Sequence, residues 1–101
     1  MRKKKEVKIL PIAEEDLAEI LEFIALDKAS AAESFLKRIE KNILGLAENP
    51  LTGRAAREKE LSKLGYRYLV VGNYLVFYVV GEDVVIHRII HGARDYISIL
   101  A

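Results

Sequence analysis

The hydrophobic pattern of this chain changes period partway along. Up to about position 50 the apolar residues recur every three or four positions, and from position 66 they run almost unbroken. Ala13, Leu17, Ile20, Leu21 and Ile24 form one helical stripe, with Glu14, Glu15, Asp16, Glu19 and Glu22 between them. Acids crowded into the first turns suit the positive end of a helix dipole. The pattern therefore predicts a helix from about Ala13 to Leu26, with Glu14, Glu15 and Asp16 as helix-start charges rather than paired carboxylates. A second stripe, Ala32, Phe35, Leu36, Ile39, Ile43 and Leu46, follows Ser30-Ala31-Ala32-Glu33, which has the form of a capping box. Asn49-Pro50 stops it. The link Asp27-Lys28-Ala29 is short enough to force the two helices antiparallel.

The last third carries the strand signal. Tyr66 to Val71 and Tyr74 to Val80 flank Gly72-Asn73, a two-residue hairpin signal, and Val84 to His91 follows the turn Gly81-Glu82-Asp83. Upstream, Glu6 to Leu10 reads as a short strand closed by Pro11. The stretch from Leu51 to Gly65 has no clear period and reads as a loop with one helical turn. The tail from Ala93 to Leu100 is either a short helix or a segment trailing over the sheet. The expected class is α+β with the order β-α-α-β-β-β, a small antiparallel-dominated sheet with a helical hairpin on one face.

If Gly72 and Asn73 are the loop residues, Val71 pairs with Tyr74 and Arg67 with Tyr78. Alternation then puts Arg67, Leu69, Val71, Tyr74, Val76 and Tyr78 on one face, and Tyr66, Tyr68, Val70, Leu75, Phe77 and Val79 on the other. The second set suits the helix-covered side. The first mixes arginine and tyrosine with aliphatics, as an open binding face does. The length of the second turn decides whether His87 or Arg88 joins Tyr74 and Tyr78, and it stays open here.

Composition narrows the function. A chain of 101 residues makes one domain, 1–101, around a single modest core. There is no Cys, which excludes disulfides and thiolate chemistry and fits a cytoplasmic protein. No apolar run approaches the roughly 20 residues of a membrane helix, and no apolar region follows the basic start from Arg2 to Lys5 as a signal peptide requires. Net charge is only +1, but the connector from Gly53 to Arg67 holds Arg54, Arg57, Lys59, Lys63 and Arg67 against Glu58 and Glu60. A basic loop beside a basic strand end is a polyanion signal.

Candidate chemistry gathers at the end of the last strand. His91 sits where that strand opens to solvent. Arg94 can bind a phosphate through two parallel donors. Tyr96 can stack on a base or pass a proton. Asp95 is a candidate ion-pair partner for Arg94. His87 and His91 look like a ligand pair, yet four strand residues separate them by roughly 13 Å, too far for one metal ion. No phosphate loop, nucleophile elbow or zinc spacing is present, and neither metal nor cofactor is expected.

The element order resembles the RelE/ParE superfamily of toxins from type II toxin–antitoxin modules. So do the segments Asn49-Pro50-Leu51-Thr52-Gly53-Arg54, Gly72-Asn73-Tyr74-Leu75-Val76-Phe77-Tyr78 and Arg88-Ile89-Ile90-His91-Gly92-Ala93-Arg94-Asp95-Tyr96. The resemblance covers nearly the whole chain. It implies a toxin that a cognate antitoxin wraps and silences. RelE-like members are ribosome-dependent mRNA endonucleases, and ParE-like members inhibit DNA gyrase without cutting RNA. Arg94 falls where the nucleases carry a catalytic arginine, and Tyr96 lies near their C-terminal tyrosine. Their arginine after the hairpin glycine is Tyr74 here, and Arg67 replaces it if it shares that face.

The expectation is therefore a metal-free mRNA endonuclease, with ribosome and mRNA as partners. Arg94 and Arg67 would hold phosphate charge and His91 or Tyr96 would transfer protons. Lys63, Arg67, Arg88 and Arg94 would contact the nucleic acid. The alternatives are a gyrase inhibitor, and an inactive homologue that only binds its antitoxin.

Overall fold

The computed structural model describes residues 4–101; Arg2 and Lys3 of the basic start lie outside them. The chain runs β1 (Val7–Ile9), α1 (Pro11–Asp27), α2 (Ala29–Gly45), β2 (Arg54–Ala55), α3 (Lys59–Lys63), β3 (Tyr66–Val71), β4 (Tyr74–Val80), β5 (Val84–His91) and α4 (Tyr96–Leu100). The five strands form one sheet in the order β1-β5-β4-β3-β2. β1 lies parallel to β5, and every other pair is antiparallel. No described helix is long and apolar enough to cross a membrane.

Local signals set most element ends. Pro11 occupies the first turn of α1, where its missing N–H is no loss. The helical hairpin turns on the single residue Lys28, whose extended backbone ends one helix and starts the next. Its N–H donates to Ile24 O, and its carbonyl accepts from Ala31 N at 3.1 Å. The expected capping box is not formed. With α2 beginning at Ala29, Ser30 already lies inside the first turn, and no side chain caps that end. Gly72 has φ of +60° and Asn73 does not share the positive sign, which is the glycine-first form of a two-residue hairpin turn.

The connector holds more structure than the expected helical turn. Besides α3 it supplies β2, a strand too short for any period to reveal. β2 pairs Arg54 with Tyr68 and Ala55 with Arg67.

The face assignment is reversed relative to expectation. Leu69, Val71, Val76 and Tyr78 are the buried ones beneath the helical hairpin, packed with Val84, Ile86 and Ile89 against Ala13, Ile20, Ile39, Ile43 and Leu46. At roughly 1.5–3 kcal/mol for each large aliphatic side chain taken from water, this layer supplies most of the apolar driving force. Tyr78 belongs in that core because its hydroxyl is satisfied there: it donates to Pro50 O (2.8 Å) and accepts from Gly53 N (2.9 Å). A β-carbon on Gly53 would collide with that hydroxyl and with the Tyr68 carbonyl, so glycine is required by close approach. The opposite face is not bare either. Tyr66, Phe77, Ile90, Ala56 and Leu61 form a second, smaller cluster under α3 and α4.

The second turn has three residues, since Val80 pairs with Val84. Taken alone, that parity would bring Arg88 onto the Tyr78 face. A bulge opposite Phe77 and Tyr78 cancels it, so that Phe77 pairs with Arg88 and Tyr74 with His91. His91 therefore joins Tyr74 on the α1–α2 side, whereas His87 contacts Tyr66 of the other face.

Candidate functional site

The end of β5 is built as a series of short-range locks. Gly92 N donates to Asn73 O (2.9 Å), tying the strand end to the β3–β4 turn. Ala93 N donates to His91 Nδ1 (3.0 Å), and Arg94 N to His91 O (3.0 Å). Because Nδ1 accepts, the proton of the neutral His91 ring resides on Nε2. The ring stands edge-on to Tyr74 with centroids 5.2 Å apart. It faces a groove formed with Phe23, Ile24, Phe35 and Arg38.

Asp95 is the N-cap of α4. Its carboxylate accepts from Ser98 Oγ (2.6 Å) and more weakly from Ser98 N (3.4 Å), and the hydroxyl bond chiefly lowers its pKa. It is therefore engaged with Ser98 and not with Arg94. Arg94 is exposed, and among the described residues no group partners its guanidinium.

Tyr96 turns to the opposite side of the sheet from His91. Its ring lies on Phe77 at 5.2 Å and its hydroxyl donates to Glu58 Oε1 at 2.9 Å. That bond, with burial second, raises its pKa and keeps the phenol protonated. His87, in the bulge, has its Nδ1 3.3 Å from the Tyr66 hydroxyl, and burial lowers its pKa.

Arg67 and Arg88, on the longer strands β3 and β5, are tied into the frame. Arg67 Nη2 donates to Gly53 O (2.6 Å) and Leu51 O (3.1 Å), while its Nε is buried with no partner. It does share the Tyr78 face, beside the short edge strand β2. Arg88 makes a two-point bond to Asp16, Nε to Oδ2 at 2.8 Å and Nη2 to Oδ1 at 2.9 Å. The same carboxylate accepts Ile89 N at 2.9 Å. Asp16 raises the Arg88 pKa, chiefly through this bond. Asp16 thus does more than charge a helix start: it takes the main-chain donor of β5 beyond the point where β1 ends. Lys63 is exposed at the last turn of α3.

Of the sequence candidates, His91 and Arg94 adjoin in one turn, Tyr96 lies across the sheet, and Arg67 and Arg88 are tied down toward opposite sides of it. Sequence reasoning missed Asp16, Glu58 and the Tyr78–Gly53 contact. Only Gly53 carried a local hint, as a glycine where no turn was needed.

The model of a family described as the ParE toxin of the type II toxin–antitoxin system, parDE, matches residues 7–96. No curated protein matches the chain. The solved structures that share its fold include two from toxin–antitoxin systems. One, of the chromosomal ParDE toxin–antitoxin system from P. aeruginosa, has a TM-score of 0.70 and 21% identity, covering 87% of this chain and 96% of that one. The other, of the RelBE2 toxin–antitoxin complex from Mycobacterium tuberculosis, has a TM-score of 0.62 and 20% identity, covering 93% and 98%.

Proposed function

The chain belongs to the ParE toxin family of type II toxin–antitoxin systems, and from that premise we propose that it acts by occupying a protein target of the DNA gyrase kind, without cutting RNA, and that a cognate antitoxin silences it. One observation carries the proposal. Metal-free RNA cleavage needs cations and proton carriers around one phosphate, and here those groups stand in separate places. Arg67 and Arg88 are spent on the chain's own carbonyls and carboxylate at two edges. His91 packs on Tyr74, and Tyr96 packs on Phe77 across the sheet. What remains at the rim is Arg94, exposed and unpaired among the described residues, on a hydrogen-bonded turn, which suits a contact residue in a protein interface.

Purified protein in a gyrase supercoiling assay, run beside RNA mapping after induced expression, tests this. The expected result is inhibition at micromolar protein, reduced in Arg94→Ala, with mRNA intact. The second function, a ribosome-dependent mRNA endonuclease, is favoured by that same free guanidinium adjoining His91. Codon-linked cuts with unimpaired supercoiling would establish it instead. Neither effect would mark a homologue that only binds its antitoxin.

A further inference from the structure

We infer that the groove between the tip of the α1–α2 hairpin and the β3–β4 turn is a small-molecule site, and that its ligand is a nucleoside monophosphate. The groove has a volume of about 660 Å³, inside the range of roughly 300–1,000 Å³ typical of ligand pockets. Phe23, Ile24, Phe35 and Tyr74 give it an apolar wall. Phe23 is 69% exposed and the Phe35 and Tyr74 rings are half-buried, so this wall of rings is open to water.

The rings stand in a fixed order. Phe35 meets Tyr74 edge-on with centroids 5.4 Å apart, and Tyr74 meets His91 in the same manner at 5.2 Å. A β-carbon on Gly72 would lie 3.9 Å from both Phe35 Cε1 and Arg38 Nη1, which puts the guanidinium beside the first ring of the row. An arginine therefore stands at one end of the aromatic row and a histidine at the other. Lys28 and Arg38 are the charged residues of the lining; it holds no carboxylate, although the chain has 15 Asp and Glu. Both cations are exposed, and neither forms a side-chain ion pair among the described residues. At the far end, the bond from Ala93 N to His91 Nδ1 leaves the neutral ring's proton on Nε2, so that end offers an uncharged donor.

These groups specify the parts of one ligand. A guanidinium fork with a lysine in the same lining suits a phosphate. A row of exposed rings suits a planar aromatic body, since every nucleobase has a face that stacks on such rings. The Nε2–H of His91 suits an acceptor nitrogen on the edge of that body. An inorganic anion would leave the aromatic wall wet, and a purely apolar molecule would leave the cations and the imidazole donor unpaired. A nucleotide with its phosphate on Arg38 and its base directed toward His91 satisfies both. The ligand is defined by the chemistry of the groove and does not rest on the toxin assignment.

The test is calorimetric titration of the full chain with adenosine monophosphate, followed in labelled protein by amide and imidazole shifts. Saturable binding is expected, with shifts at Gly72, Tyr74 and the His91 Nε2. Adenosine, which lacks the anion, and inorganic phosphate, which lacks the ring, should each bind about tenfold or more weakly. Arg38→Ala should weaken nucleotide binding about tenfold or more, and Arg38→Lys should recover only part of it, because a point charge replaces the fork. Arg38 is exposed, so neither change threatens the fold. Lys41→Ala removes a cation of the neighbouring groove and should leave binding unchanged. Absence of saturation, equal binding of adenosine or inorganic phosphate, or an equal loss in Lys41→Ala would overturn the inference. So would a single-stranded oligonucleotide binding far more tightly than the mononucleotide. The supercoiling assay does not involve the nucleotide, so the toxin assignment and this site stand or fall separately.

Discussion

Two arginines close the two sides of one sheet, and they do it with different chemistry. On the β5 side Arg88 meets a carboxylate, so the lock is neutral, with Glu15 and Glu19 of α1 adding to the field on Arg88. On the β3 side Arg67 meets only carbonyls, which satisfy hydrogen bonds but cancel no charge. Arg38, Lys41 and Arg54 then add to it unopposed. A molecule of net charge +1 is in this way electrically lopsided. The difference shows that total charge says little about where charge gathers, whereas the chemistry that anchors each arginine decides which side of the sheet keeps a positive charge.

The strongest way to break the comparison is at the core of the β3 lock. Tyr78→Ala should cost about 3–5 kcal/mol in denaturant unfolding, since it empties a fully buried site and frees the loop carrying Gly53. Tyr78→Phe keeps the volume and should cost roughly 1–3 kcal/mol through the unpaired Gly53 N–H and Pro50 C=O. If both variants cost the same, the hydroxyl has no anchoring role.

Next comes the β5 lock. Asp16→Ala should cost about 2–3 kcal/mol, less than a fully buried pair, because the Arg88 and Asp16 side chains keep 21% and 11% exposure. Asp16→Asn should recover part of that, as an amide oxygen can still accept the Ile89 N–H. An unchanged melting curve for Asp16→Ala would remove the lock from the account.

A smaller effect is expected from acid. Burial lowers the His87 pKa, so the unfolded chain binds more protons than the folded one below the ordinary histidine value near 6.5. Stability should therefore fall as pH drops below about 6.5. His87→Gln should flatten that part of the profile, measured as melting temperature against pH. A profile identical to the parent would show that His87 is neutral to folding.

The smallest stability change belongs to Arg94→Ala, expected within about 0.5 kcal/mol because no described residue binds that guanidinium. A larger loss in unfolding measurements would mean that Arg94 is structural, and its functional assignment would fail.

Much of the fold was legible because its determinants are local. Gly72-Asn73 fixes the β3–β4 register within a few bonds, and the spacing of Ala13, Leu17, Ile20 and Ile24 fixes one helical face. Less of the site could be read. Asp16 and Arg88 are separated by 72 positions, and an acid near a helix start has an adequate local explanation already. Ser30-Ala31-Ala32-Glu33 illustrates the opposite error, a local signal overridden when the antiparallel packing of α1 and α2 put the turn at Lys28.

The chain alone determined its periods: which segments are helix or strand, and that β3, β4 and β5 follow one another with short turns. Tertiary structure alone decided which side of the sheet the helices would cover. Alternation defines two faces without ranking them, and the choice fell to whichever tyrosine could bury its hydroxyl against the loop at Pro50 and Gly53. It also decided which arginines remained free, because a guanidinium is available to a partner only where the fold brings no carbonyl or carboxylate within reach.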